Sequence, residues 1–270
     1  MKRLLTINDF IHAYFTYWGN GEIPSSPNQN VNMMAEMNEI KKDYENIGAK
    51  WSNGTKITIK LVLRKCVRGI MARGHQYCIS AVSVNNAVDA LYKGTFKSRK
   101  GKLEKFITGG RIYENFEDFE ELYDAVKNLI SISGIGGVTI YDTARRIGHI
   151  LYTPIYPQQF VYLPANKVRN AASYIVEKEV EGKEPASLFF PYFGTLPPLF
   201  IEDILCIFSA WFWQFAKCPK ELPYPPYSKG ERRIGRPWWS LDVETFRKEI
   251  LKEYARVTSK IHKRWPEFPM

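Results

Sequence analysis

The tightest constraint on this chain is Gly134-Ile135-Gly136, set between two segments with apolar residues at helical spacing. Two glycines around one apolar residue permit positive φ and a close approach of backbones, while the apolar side chain turns inward and pins the connection. The preceding segment, Phe116–Ile130, opens with acidic residues that suit the positive end of a helix dipole, and Asn115 stands before it. The following segment, Val138–Leu151, reads as an amphipathic helix entered directly from the glycines. No strand precedes the turn and the third glycine is misplaced for a dinucleotide loop, which sets that alternative aside.

A G-h-G turn between two helices, where h is apolar, is the core of the helix-hairpin-helix motif. The first N–H groups of the second helix have no intrahelical acceptor, so they can face a phosphate. Gly134, Ile135, Gly136 and Gly137 form this turn, Thr139 offers a hydroxyl, and Arg145 and Arg146 lie one to two turns further on with positive charge. Such contacts read the nucleic-acid backbone rather than its bases, and binding through them is largely independent of sequence. An ordinary tight helix–helix connection is the competing explanation of the same glycines.

Charge supports the polyanion reading in its distribution more than in its total of +10. Between Lys56 and Arg111 there are thirteen Lys or Arg and only two acids, Asp89 and Glu104; an acidic stretch, Glu114–Asp124, follows. Within the basic stretch KSRKGKLEK, Lys97, Arg99, Lys100 and Lys102 are candidate phosphate contacts, although like-charge blocks are often only solvated, flexible arms. A second basic region runs from Arg232 to Arg264, with Trp238 and Trp239 suited either to stacking on unpaired bases or to docking the last helix.

The remaining periodicities predict an all-α protein: a helical domain over 1–184, with the hairpin at about 117–151, and a proline-interrupted helical extension with a basic tail over 185–270. Helical patterns cover Leu5–Trp18, Met33–Ile47, Tyr77–Leu91, Lys167–Glu181, Phe200–Ala216 and Val243–Lys263. Ile57–Met71 begins with strand-like alternation and continues as a helix, and helix is the favoured reading. The longest apolar stretch, Ile204–Ala216, is too short for a bilayer, and the N-terminus has no apolar core long enough for a secretion signal. A cytoplasmic protein with no membrane partner is expected.

Cys66, Cys78, Cys206 and Cys218 fit no zinc or CxxC spacing, and His12, His75, His149 and His262 fit no ligand pattern. No metal and no cofactor are expected, and the cysteines read as reduced, mostly buried thiols. Glu202 and Asp203 read as charge stabilisation at a helix start, or as a carboxylate facing a cleft; Lys167 is a remote candidate nucleophile.

Gly134 to Asp142, with Ile132 before it, resembles the hairpin of the helix-hairpin-helix DNA glycosylases, the 8-oxoguanine and endonuclease III types among them. The resemblance covers Phe116 to Ala172 and implies an all-helical DNA-binding fold. The bifunctional members carry a lysine two residues after the second glycine, where this chain has Val138, and a downstream aspartate, whereas this chain has none between Asp142 and Asp203. The catalytic residues are therefore unknown, and without that amine and carboxylate neither a Schiff base nor an activated water has an evident source. YDTARRIG, FVYLPANKVRNAA and IEDILCIF also resemble an uncharacterised bacterial protein family, with Pro164 where its pattern has His and Asn166 where it has Gly. The expected function is DNA-backbone binding, with DNA favoured over RNA as partner. The alternatives are a divergent base-excision glycosylase or lyase, and a protein-interaction module that engages an acidic partner through Ile204–Ala216 and the basic tail.

Overall fold

A computed structural model describes residues 6–18, 35–69, 79–131, 134–209 and 212. The basic region from Arg232 to Arg264 with its tryptophans, the helix expected over Val243–Lys263, and the residues His75, His262, Cys78 and Cys218 lie outside them. The elements are helices α1 (Ile7–Trp18), α2 (Ala35–Glu45), α3 (Ile59–Arg68) and α4 (Ala81–Lys93); strands β1 (Thr95–Lys97), β2 (Leu103–Lys105), β3 (Ile107–Thr108) and β4 (Arg111–Ile112); helices α5 (Phe119–Ile130) and α6 (Gly137–Ile150); strand β5 (Phe160–Tyr162); helix α7 (Asn166–Val176); strand β6 (Lys183–Pro185); and helices α8 (Phe190–Phe193) and α9 (Pro198–Ile207). The chain is mostly helical. Among the described residues it departs from the all-α expectation through three antiparallel strand pairs, β1–β2, β3–β4 and β5–β6.

Two compact units account for the described residues: residues 35–156, and residues 6–18 together with 157–209 and 212. The boundary expected at 184/185 is therefore misplaced. β6 spans it, and β5 pairs with β6 in the register Phe160↔Pro185, Val161↔Glu184 and Tyr162↔Lys183. α9, expected in the extension, packs on β5 and α7. Burying one face of each element ties both sides of that boundary to one core, which proline-rich composition does not reveal.

In the first unit α6 packs against α2, α3 and α5, and α4 packs against α3 and α5. The ambiguity at Ile57–Met71 resolves as a helix. Ile59, Val62, Leu63, Cys66 and Val67 are buried, a spacing that only a helix places on one face. Thr58 caps it by accepting the Leu61 N–H at 3.3 Å. In α5, Phe119, Leu122, Ala125, Val126 and Ile130 form the inward stripe, and Asp118 accepts the Glu121 N–H at 2.9 Å. Gly148 lies where α6 meets the returning chain, and the Ile155 N–H donates to its carbonyl at 3.0 Å. A β-carbon at this glycine would overlap the Ile155 carbonyl oxygen and press on Leu122.

In the second unit aromatic rings form the core. Phe10 packs on Phe208 and Phe212 with centroids 5.3 and 4.7 Å apart, and Phe15 meets Phe200 edge-on at 5.4 Å. Ile204, Leu205, Phe208, Ser209 and Phe212 are buried and Cys206 and Ile207 half-buried, so most of the described part of the apolar segment expected to engage a partner is interior.

Gly148→Ala is expected to destabilise the protein by about 1–3 kcal/mol through overpacking against backbone that has no rotamer to change. Chemical denaturation of both proteins checks this.

Candidate nucleic-acid interface

The turn at Gly134–Gly137 joins the C-terminus of α5 to α6. Gly134 has φ of +87°, a conformation that side-chain-bearing residues rarely adopt. A β-carbon there would stand 2.5 Å from the Ser83 hydroxyl oxygen, so the turn lies against the start of α4. Ile135 is buried, as the turn requires, whereas Gly136 and Gly137 are exposed. Gly136 is the N-cap of α6 with extended backbone at φ −91° and ψ 168°, and no side chain caps the helix. In α3, α4 and α5 a Thr, Ser or Asp side chain accepts the corresponding N–H. The first turn of α6 also lacks an acid. The helix therefore opens on exposed glycine with its dipole charge uncompensated by side chains of that turn.

The start of α4 beside it is not legible in the sequence. Ser80 caps that helix by accepting the Ser83 N–H at 3.0 Å, and the two hydroxyls are 2.9 Å apart. Further along the same helix Asn85 accepts from Arg64 of α3 at 2.6 Å. Two helix starts thus belong to the neighbourhood of the glycine turn. The only sequence signal is Ser80 ahead of an apolar run, which marks a cap and says nothing of its neighbours.

Other expected contacts lie elsewhere. Thr139 is buried, and its carbonyl accepts the Thr143 hydroxyl at 2.6 Å. Arg145 is buried beside Asp142 at 3.9 Å and over the Tyr141 ring at 5.5 Å. Arg146 is buried too: its Nε is 3.3 Å from Glu36, and it donates to the Cys66 carbonyl at 3.0 Å. These arginines are not surface charges for phosphate. Their helix is covered by three others, and a cation inside needs partners there. Arg146 joins α6 to α2 and α3. Val138, at the position of the glycosylase lysine, is half-buried in the first turn of α6.

The segment Lys97–Lys105 is a strand pair rather than a flexible arm. Ser98 and Gly101 close its turn, with the Ser98 N–H donating to Lys102 at 2.8 Å and Gly101 at φ +77°. Arg99 donates to Asp118 at 2.5 Å and to Glu120 at 3.4 Å, and Lys100 stands 3.8 Å from Glu117. Lys97 and Lys102 are exposed.

His149 is buried near the end of α6, with Nδ1 2.7 Å from the Tyr156 hydroxyl and Nε2 2.8 Å from Asn38 Oδ1. Burial, aided by the Lys41 charge, lowers its pKa to about 4. The ring is neutral at pH 7; with Asn38 Oδ1 as acceptor, Nε2 carries the proton and Nδ1 accepts from Tyr156. Burial also pushes the Cys66 thiol up to about 12, which keeps it protonated. Cys206 is half-buried. In the second unit Glu202 and Asp203 are buried, and Asp203 accepts the Tyr14 hydroxyl at 2.8 Å, while Lys167 is exposed.

Among the described residues no three His, Cys, Asp or Glu cluster as a metal site, and no helix is long and apolar enough to cross a membrane. No protein-family model, curated protein or solved structure matches this chain.

Two outcomes follow for the polar interior. Arg146→Met removes the guanidinium that pairs with buried Glu36 and bonds the Cys66 carbonyl, and is expected to cost about 3–5 kcal/mol of stability, measured by denaturation. The depressed His149 pKa makes the unfolded chain bind the proton that the native one refuses. Stability contributed above pH 6.5 is therefore lost as pH falls towards 4, by about 3 kcal/mol in all. His149→Gln should flatten that part of the stability–pH curve between pH 6.5 and 4.

Proposed function

We propose that this protein binds the backbone of nucleic acid, DNA in preference to RNA, through the glycine turn at the start of α6, largely without regard to sequence. The observation that carries this reading is the uncapped, exposed opening of α6 at Gly136 and Gly137, beside the start of α4. Backbone N–H groups at such an end combine hydrogen-bond donors with the positive end of the dipole, the arrangement that favours a phosphate. Ile135 holds the turn from within, and Gly134 lets it lie against Ser83. Burial of Arg145 and Arg146 restricts the proposed site to main-chain donors, the Ser80 and Ser83 hydroxyls and cations from other elements. Contacts of this kind position a duplex and do not read its bases.

Gly136→Glu isolates the turn. Gly136 has a φ open to any residue, and its β-carbon direction is free of neighbours, so the glutamate is sterically tolerated. Its carboxylate then occupies the phosphate position. Labelled duplex DNA, titrated across a salt series into both folded proteins, should bind the native chain with steep salt dependence. The variant should bind about tenfold more weakly or worse, equivalent to about 1.4 kcal/mol. Equal binding by the two proteins would remove the turn from the interface.

A further inference from the structure

The β1–β2 ribbon divides its charges between two tasks. Arg99 and Lys100, in its turn, face the acidic start of α5: Arg99 pairs with Asp118 and Glu120, Lys100 approaches Glu117, and the Arg99 N–H donates to Glu121 at 2.9 Å. On the inner face Phe96 is buried in a ring cluster, stacked on Phe116 at 5.3 Å and edge-on to Tyr113 at 5.2 Å. The ribbon is therefore held at its turn by ion pairs and along its length by aromatic packing.

Its other face has no such anchor. Register puts Lys97 opposite Leu103 and Thr95 opposite Lys105, and cross-strand partners share a face. All four are exposed, Leu103 by 74%, and Lys102, exposed as well, precedes Leu103 where the turn enters β2. Lys97 and Lys105 share the face of a leucine that the fold leaves in water, and Lys102 adds a third exposed cation at the turn beside it. Hydration of that leucine is unfavourable, and its exposure gives nothing to the core beneath.

We propose that this outer face lies in a groove of duplex nucleic acid, with Lys97, Lys102 and Lys105 on phosphates and Leu103 turned towards the bases. A two-stranded ribbon is narrow enough to enter the major groove, and its side chains stand perpendicular to the strands. Apolar side chains presented to base edges or steps are a known mode of duplex contact, and flanking lysines supply its electrostatic part. The proposal rests on the reading of the chain as a nucleic-acid binder, and adds to the glycine turn a second contact on the same unit. It assigns Arg99 and Lys100, both expected from the sequence to meet phosphate, to holding the ribbon in place.

The test compares the native chain, Gly136→Glu and two ribbon variants in the duplex-DNA salt series. Lys97→Gln/Lys102→Gln/Lys105→Gln should lower the slope of log K against log salt by about 2.7, at about 0.9 for each phosphate no longer neutralised. Leu103→Ser should weaken binding several-fold with the slope unchanged, a signature of apolar packing that diffuse charge attraction would not produce. All four substituted side chains are exposed, so both variants should fold like the native chain. If DNA binding is abolished in Gly136→Glu but untouched in both ribbon variants, the glycine turn stands and the ribbon proposal is overturned. If phosphatidylserine vesicles bind the native protein but not Leu103→Ser while duplex binding is unchanged, the face meets lipid and the proposal is likewise overturned. No duplex binding by the native protein would overturn both readings together.

Discussion

Burial of α6 on most of its sides is the constraint from which the rest of its unit follows. From Thr139 to Ile150 only Asp142 escapes burial, because α2, α3 and α5 all pack on this helix. Burial then favours interior partners for the polar groups it carries. Arg146 takes Glu36 and the Cys66 carbonyl, Thr143 returns its hydroxyl to the Thr139 carbonyl, and His149 stays neutral between Tyr156 and Asn38. Those partners come from α2, α3 and the chain after α6. The same contacts therefore fix the axis of α6 and, with it, the direction in which its first N–H groups point. The exposed end of this buried helix is the glycine turn.

The charge of the chain is distributed by the same logic. A net charge of +10 describes a polyanion binder only if the cations are at the surface. Arg145 and Arg146 are interior, and Arg99 and Lys100 face the carboxylates that open α5. Those carboxylates have their own local tasks: Asp118 caps α5, and Glu121 accepts the Glu117 and Arg99 N–H groups. The basic and acidic stretches of the sequence are thus partly one structural joint. The cations left outward on the ribbon are Lys97, Lys102 and Lys105.

Much of the helical layout is legible in the sequence because long amphipathic periods are local. The hairpin helices, the inward Ile135 and the helix at Ile59–Arg68 all follow from spacing and caps. The ribbon is not, because a run of like charges hides Phe96, whose anchor on Phe116 is twenty residues away in sequence. Arg146 misleads because an arginine beside a candidate phosphate site looks like a ligand, and its partner Glu36 lies more than a hundred residues upstream. The boundary at 184/185 fails for a related reason: prolines mark a linker, yet Pro185 is the last residue of an edge strand, where its missing N–H is harmless. Ser83 beside Gly134 cannot be read at all, since nothing local announces which helix starts will meet.

Backbone amide resonances of the turn test the central claim most directly. In a titration of the isotope-labelled chain with short duplex DNA, the N–H signals of Gly136, Gly137 and Val138 should shift saturably, and the shifts should shrink as salt is raised. Shifts confined to other surfaces, with these three signals unmoved at saturation, would contradict a phosphate site at the start of α6.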